Sequence, residues 1–173
     1  QKGFFENKKF VVLNNYLLHK AGGIWIDPPT SHSIEDLKKN KNIVKLVKNI
    51  VRQEERKIWG WKAPRTSLLL DLYYPLLKNP YFFICNRNQN SIAKSLQKRN
   101  KLPMSFGLNL SETYYSRIQS FTDKFPKANY LFVDFEETIY SEPKQIKKIA
   151  SFIGMEPKKG ISVVDKKLVT SGI

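Results

Sequence analysis

Arg87 stands just past the apolar run Tyr81-Phe82-Phe83-Ile84-Cys85, and Ser95 follows it eight residues later. If the run is a strand and Ser91–Arg99 the next helix, the Arg87 side chain reaches over the sheet edge. Asn90 or Ser91 is then placed to cap the helix, and Ser95 falls on its first or second turn, facing back toward the strand end. A guanidinium fork and a hydroxyl converging there can clamp a phosphate, because the planar donors of arginine match two anionic oxygens at once. On the residues alone, a solvated arginine closing a strand remains the alternative. Overall charge points toward anions as well. Thirty Lys and Arg face fifteen Asp and Glu, a formal net charge of +15, and such a summed field favours negatively charged partners. Cys85, His19 and His32 are too few and too scattered to make a metal site by themselves, so none is expected.

The elements that must position these groups follow from periodicity. Phe10, Leu13 and Leu17 lie at helical spacing, and Gly22-Gly23 ends that helix. Asp27-Pro28-Pro29 reads as a rigid turn. Ser33 with Asp36 three residues later resembles a capping box for a second helix, which carries Val44, Val47 and Val51 on one stripe and is open to a break at Asn40-Lys41-Asn42. Ile58-Trp59-Gly60-Trp61, Tyr81 to Cys85 and Tyr130-Leu131-Phe132-Val133 read as buried strands, their near-continuous hydrophobicity suiting parallel strands covered on both faces. Helices are expected at Thr66–Tyr74, Ser91–Arg99 and Ser111–Lys124, the last with Tyr114, Ile118, Phe121 and Phe125 in one stripe. A final helix starts near Pro143, turns Ile146, Ile149, Ala150 and Ile153 inward and stops at Gly154. The alternation predicts a three-layer α/β/α fold with a central parallel sheet and ligands at the strand C-termini.

A strand ending in Arg, with Ser eight residues on inside the next helix and Ala93-Lys94-Ser95-Leu96 around it, resembles the 3′-phosphate motif of PAPS-dependent sulfotransferases. Trp59-Gly60-Trp61-Lys62-Ala63-Pro64-Arg65-Thr66 is similar to the Trp-Gly-Trp-Lys-Asp-Pro-Arg-Thr signature of a broad, mostly bacterial group of that family. Lys2-Gly3-Phe4-Phe5-Glu6-Asn7 resembles the stretch that follows the cofactor loop there. The resemblance implies a P-loop nucleotide-hydrolase-like fold and sulfuryl transfer from 3′-phosphoadenosine 5′-phosphosulfate (PAPS), leaving 3′,5′-ADP. It implies that Arg87 and Ser95 bind the 3′-phosphate and that Lys62 stabilises charge on the moving sulfuryl group. Glu6 is implied as the base that takes the acceptor's proton, and Arg65 as orienting its neighbours or reaching the acceptor. Val164 to Leu168 resembles a C-terminal element near the cofactor, which makes Lys166 and Lys167 candidate phosphate contacts. One departure stands out. Ala63 occupies the place of the usual acidic residue, so Lys62 loses a carboxylate that would orient it.

The family's 5′-phosphosulfate loop, rich in Arg, Ser, Gly and Thr, has no counterpart among residues 1–173. The chain is therefore expected to be a single sulfotransferase-like domain, 1–173, that is N-terminally incomplete, with its loop and first strand upstream, and to be poorly folded or inactive on its own. The acceptor implied is a hydroxyl or amine of a carbohydrate or small molecule, with Trp25, Trp59, Tyr73 and Tyr74 as rings that either stack on it or belong to the core. A catalytically silent chain that still binds PAPS or 3′,5′-ADP is the second reading. A P-loop nucleotide kinase is the third, opposed by the absence of any Gly-Lys-Ser/Thr.

Composition bounds these readings. A chain of 173 residues with 41% hydrophobic and 13% aromatic residues can bury a sizeable core. No apolar run is long enough to span a bilayer, and no charged-then-apolar leader opens the sequence. With one cysteine, no internal disulfide is possible, and a cytoplasmic location is expected. Nucleic acid is not expected as a partner, since no helix-turn-helix, RRM or OB pattern accompanies the charge.

Overall fold

Asn7 opens the first helix: its side-chain oxygen accepts the backbone N–H groups of Lys9 and Phe10, two of the donors that a helix start leaves without partners. The computed structural model describes residues 6–157. Within it this helix, α1 (Lys8–Lys20), stops before Gly22, whose φ of +81° is the left-handed conformation that glycine adopts without steric cost. The next helix, α2 (Ser31–Lys39), is capped by Thr30, not Ser33. Thr30 directly follows the double-proline turn, and its hydroxyl accepts the Ser33 N–H at 3.1 Å, so Ser33 already sits in the first turn. Asn40 ends α2 and at once caps α3 (Lys41–Glu54), accepting from Asn42 and Ile43; the break expected there is present.

Two compact units emerge, one built on the residues up to Lys78 together with Thr113–Pro126, the other on Asn79–Glu112 and the residues from Lys127 on. In the first, the apolar stripes of α1, α2 and α3 meet: Phe10, Leu13, Leu17 and Leu18, then Ile34 and Leu37, then Ile43, Val47 and Val51. Residues 58–61, expected as a strand, form none. Trp61 instead lies flat on Phe10, ring centroids 4.0 Å apart and planes within 3°, and Trp59 stacks beside Trp61 at 5.6 Å. These indoles bury area against α1, which serves them better than alternation across a ladder. The single helix expected at Thr66–Tyr74 is three pieces: a 3-10 turn at Pro64–Leu68, α4 (Leu70–Tyr73) and a second 3-10 turn at Tyr74–Leu76. Pro75 has no N–H to donate back to Asp71, so α4 cannot run on through it.

The second unit holds the sheet. Strands β1 (Tyr81–Asn86) and β2 (Asn129–Asp134) pair in parallel, in register from Tyr81↔Asn129 to Asn86↔Asp134. In sequence between them come α5 (Gln89–Asn100) and α6 (Met104–Lys124), of which the part from Thr113 on belongs to the first unit, and α7 (Phe135–Tyr140) and α8 (Glu142–Phe152) follow β2. Parallel strands joined through helices make this an α/β arrangement, with a small two-stranded parallel sheet among the described residues. Helix α6 begins seven residues before the expected Ser111 because Pro103 sits just ahead of it and Gly107 lets it pass close to α5. A Cβ on Gly107 would lie 2.9 Å from the Ala93 backbone. Gln145 and Ala150 of α8 are buried, with Ile146, Ile149 and Ile153 half-buried, and Gly154 at φ +67° ends the turn that follows. Among the described residues no helix is long and apolar enough to cross a membrane.

Candidate active site

In the first unit, Lys62 and Arg65 flank a short turn whose geometry is fixed from inside the fold. Ala63 is extended, Pro64 opens the 3-10 turn, and the Thr66 N–H donates to the Ala63 carbonyl at 3.0 Å. The Thr66 hydroxyl accepts from Trp61 Nε1 at 2.9 Å and from Asn14 Nδ2 at 3.0 Å. Asn14, fully buried in the apolar stripe of α1, in turn accepts from the Tyr73 hydroxyl at 2.6 Å. Burial, with the charged form left unsolvated, pushes the Tyr73 phenol well above its ordinary range. The tryptophan and threonine of the motif thus anchor the turn, and the two cations between them project from it.

Both cations meet one carboxylate. Glu6 Oε1 lies 3.4 Å from Lys62 Nζ, and Glu6 Oε2 lies 3.7 Å from Arg65 Nη1. Glu6 and Arg65 are largely covered, whereas the Lys62 side chain is 60% exposed. The ammonium is therefore the group of the three that a solvent-borne anion can reach. The Arg65 guanidinium also sits 5.7 Å from the centre of the Trp25 ring, while the Trp25 carbonyl accepts from the Tyr114 hydroxyl at 2.9 Å. That arrangement braces the loop beside Arg65. Ala63 is buried, and the carboxylate it lacks is supplied to Lys62 by Glu6. Of the rings named from sequence, Tyr73 is fully buried, and its ring belongs to the core.

In the second unit, Arg87 follows β1 directly and is half-buried. Its guanidinium lies 4.5 Å from the Phe135 ring centre, and its Nε is 3.9 Å from Glu136 Oε1. The same carboxylate oxygen accepts the Asn88 N–H at 3.4 Å. Asn88, not Asn90 or Ser91, caps α5, accepting the Ser91 N–H at 3.1 Å. The helix thus starts two residues sooner than expected, which sets Ser95 on its second turn, solvent-exposed. Glu136 and Phe135 were not singled out from sequence. The signal was present in the parallel register: pairing of Asn86 with Asp134 brings the residues that leave the two strands side by side. Lys166 and Lys167 lie outside the described residues.

At the β1–α5 turn stand the Arg87 guanidinium and the N-terminus of α5, both groups that favour anions. The first unit thus holds a cationic turn, and the second, of the α/β class, an arginine at the end of a parallel strand. Comparison with known families narrows that class. The family model of the Sulfotransferase domain matches residues 82–169, just over half of the chain, and the chain belongs to that family, whose chemistry is sulfuryl transfer. No curated protein and no solved structure matches it.

Proposed function

We propose that the chain is a PAPS-dependent sulfotransferase of the bacterial-type Trp-Gly-Trp-Lys-x-Pro-Arg group, acting in the cytoplasm on a hydroxyl or amine of a carbohydrate or small molecule. The observation that carries the reading is the meeting of Glu6, Lys62 and Arg65, three residues from two separate motifs, around one carboxylate. Membership of the sulfotransferase family supports it. In this reading the whole chain is one domain of three-layer architecture with β1 and β2 in its central sheet. No stretch of residues 1–173 resembles the 5′-phosphosulfate loop, so the assignments below concern the transferring centre and the 3′-phosphate end.

PAPS, when bound, supplies the activated sulfuryl group. Arg87, the start of α5 and Ser95 hold its 3′-phosphate, with Lys166 and Lys167 as further phosphate contacts. Glu136 holds Arg87 beside the strand end, so that the guanidinium is oriented before the anion arrives. Lys62 directs its ammonium at the negative charge that builds on the transferring oxygens, a task that suits a compact point charge with three donors. Glu6 takes the proton from the acceptor hydroxyl, and Arg65 keeps that carboxylate turned toward Lys62.

Calorimetric titration of the chain with 3′,5′-ADP and with 5′-AMP tests this. A preference for 3′,5′-ADP of at least about ten-fold, abolished in Arg87→Ala, is the expected result, since a charge-assisted hydrogen bond contributes about 1.5–3 kcal/mol. Equal affinity for the two nucleotides, or equal losses for both in the variant, overturns the 3′-phosphate assignment.

A further inference from the structure

Helix α3 carries Lys41, Lys45, Lys48 and Arg52, all exposed. At 100° per residue these four fall within an arc of about 60°, turned well away from the buried Ile43, Val47 and Val51. No carboxylate among the described residues pairs with any of them. The contrast with α2 is direct: there Lys38 and Lys39 each hold an acidic residue one turn away, Glu35 and Asp36. The single carboxylate of α3, Glu54, is taken by Lys9 and Asn7 at the start of α1. Three like-charge neighbour pairs at i,i+3 and i,i+4 spacing therefore stand uncompensated on one helix, an arrangement that costs helix stability.

A second row runs beside the first. Asn42, Asn49 and Gln53 are exposed and fall within about 40° of one another, on the flank of the basic row. An amide carries both donor and acceptor, the complement of a sugar hydroxyl. We propose that this face of α3 binds a linear anionic glycan, its carboxylate or sulfate groups along the basic row and its hydroxyls on the amides.

The amide row and the lack of rings favour a glycan over nucleic acid. The basic groups advance about 4.5–6 Å along the axis from one to the next and span about 16 Å in all. A single strand needs aromatic platforms for its bases, and this face carries no ring. The proposal stands on α3 alone and does not depend on which cofactor the β1–α5 turn holds.

The test is binding of a size-defined heparin octasaccharide to three proteins: the wild-type chain, K41Q/K45Q/K48Q/R52Q, and the charge-matched control K57Q/K101Q/K127Q/K147Q. Circular dichroism first establishes that all three are equally folded. Loss of the row is expected to weaken binding by at least about ten-fold and to flatten its salt dependence, with the control within about two-fold of wild type. N42A/N49A/Q53A, which leaves net charge untouched, is expected to weaken the octasaccharide but not inorganic polyphosphate. Equal losses in the two charge variants mean that net charge alone attracts the polyanion, and overturn the site. A 20-base-pair duplex or phosphatidylserine vesicles bound more tightly than the octasaccharide through the same four residues would replace the glycan with a different partner.

Discussion

A fully buried asparagine in the apolar stripe of α1 must find partners for both ends of its amide, because an unsatisfied polar group in that setting is costly. Asn14 gives its donor to Thr66 and takes one from Tyr73, and Trp61 adds a second donor to the same hydroxyl. The chain of bonds ties α1 and α4 to the turn that carries Lys62 and Arg65. Tyr73→Phe keeps the ring but strips Asn14 Oδ1 of its donor, and is expected to cost about 1–3 kcal/mol in urea unfolding. Asn14→Leu in the Tyr73→Phe background should cost clearly less than the sum of the two single changes, since it removes the acceptor that the first change orphans. Strict additivity would mean the pair is not coupled. Glu6 is read at the same scale. Glu6→Gln keeps the shape and removes the charge between Lys62 and Arg65, so sulfuryl transfer is expected to fall about 10²-fold or more while 3′,5′-ADP affinity stays unchanged. Joint loss of both would assign Glu6 to folding instead of proton transfer.

Among elements, β1, β2, α8, α1 and the α2–α3 pair were legible from periodicity, whereas the caps of α2 and α5 fall three residues and at least two residues earlier than expected. The disagreements have specific causes. Ile58 to Trp61 has strand-like composition, yet Phe10 offers its indoles a flat apolar partner, and packing overrides propensity. Among the candidate site residues, Lys62, Arg65 and Glu6 were picked out from motif and are brought together. Asn14 was hidden among leucines, and Glu136 could be found only once β1 and β2 were known to be in register. Gly107 was also invisible: nothing in the sequence announces that α6 passes Ala93 within contact of a missing Cβ. Alanine is the better helix former by about 1 kcal/mol, so an exposed Gly→Ala would stabilise. Here the nearest atom is backbone and cannot move aside cheaply. Gly107→Ala is expected to destabilise by about 1–3 kcal/mol, and a raised melting temperature would show that the helices can part at no cost.

For the whole molecule the governing quantity is charge. Thirty cations and fifteen carboxylates leave each carboxylate few acidic neighbours and many basic ones, and acid removes the only compensation the chain has. Glu35 is where this is most visible. Its carboxylate accepts from Lys38 at 2.8 Å and from Lys124 at 2.9 Å, and Lys124 also donates to Asp71, so three helices of the first unit share one ionic cluster. Hydrogen bonds first from Lys38 and then from Lys124 hold the Glu35 carboxyl down at about 2, against 4.5 for a free glutamate. Between those values the unfolded chain binds the proton and the folded chain does not, so stability rises with pH through this window. The contribution is complete above about pH 5 and disappears as pH falls toward 2. Because the Glu35 side chain is 40% exposed, solvent screening limits it to about 1 kcal/mol or less. Urea unfolding of wild type and Glu35→Gln should therefore differ by up to that amount at pH 6, with the gap closing steadily between pH 4.5 and 2.5. A gap that holds constant across the window would mean that Glu35 contributes through packing, and that the acid sensitivity of the chain resides in its other carboxylates.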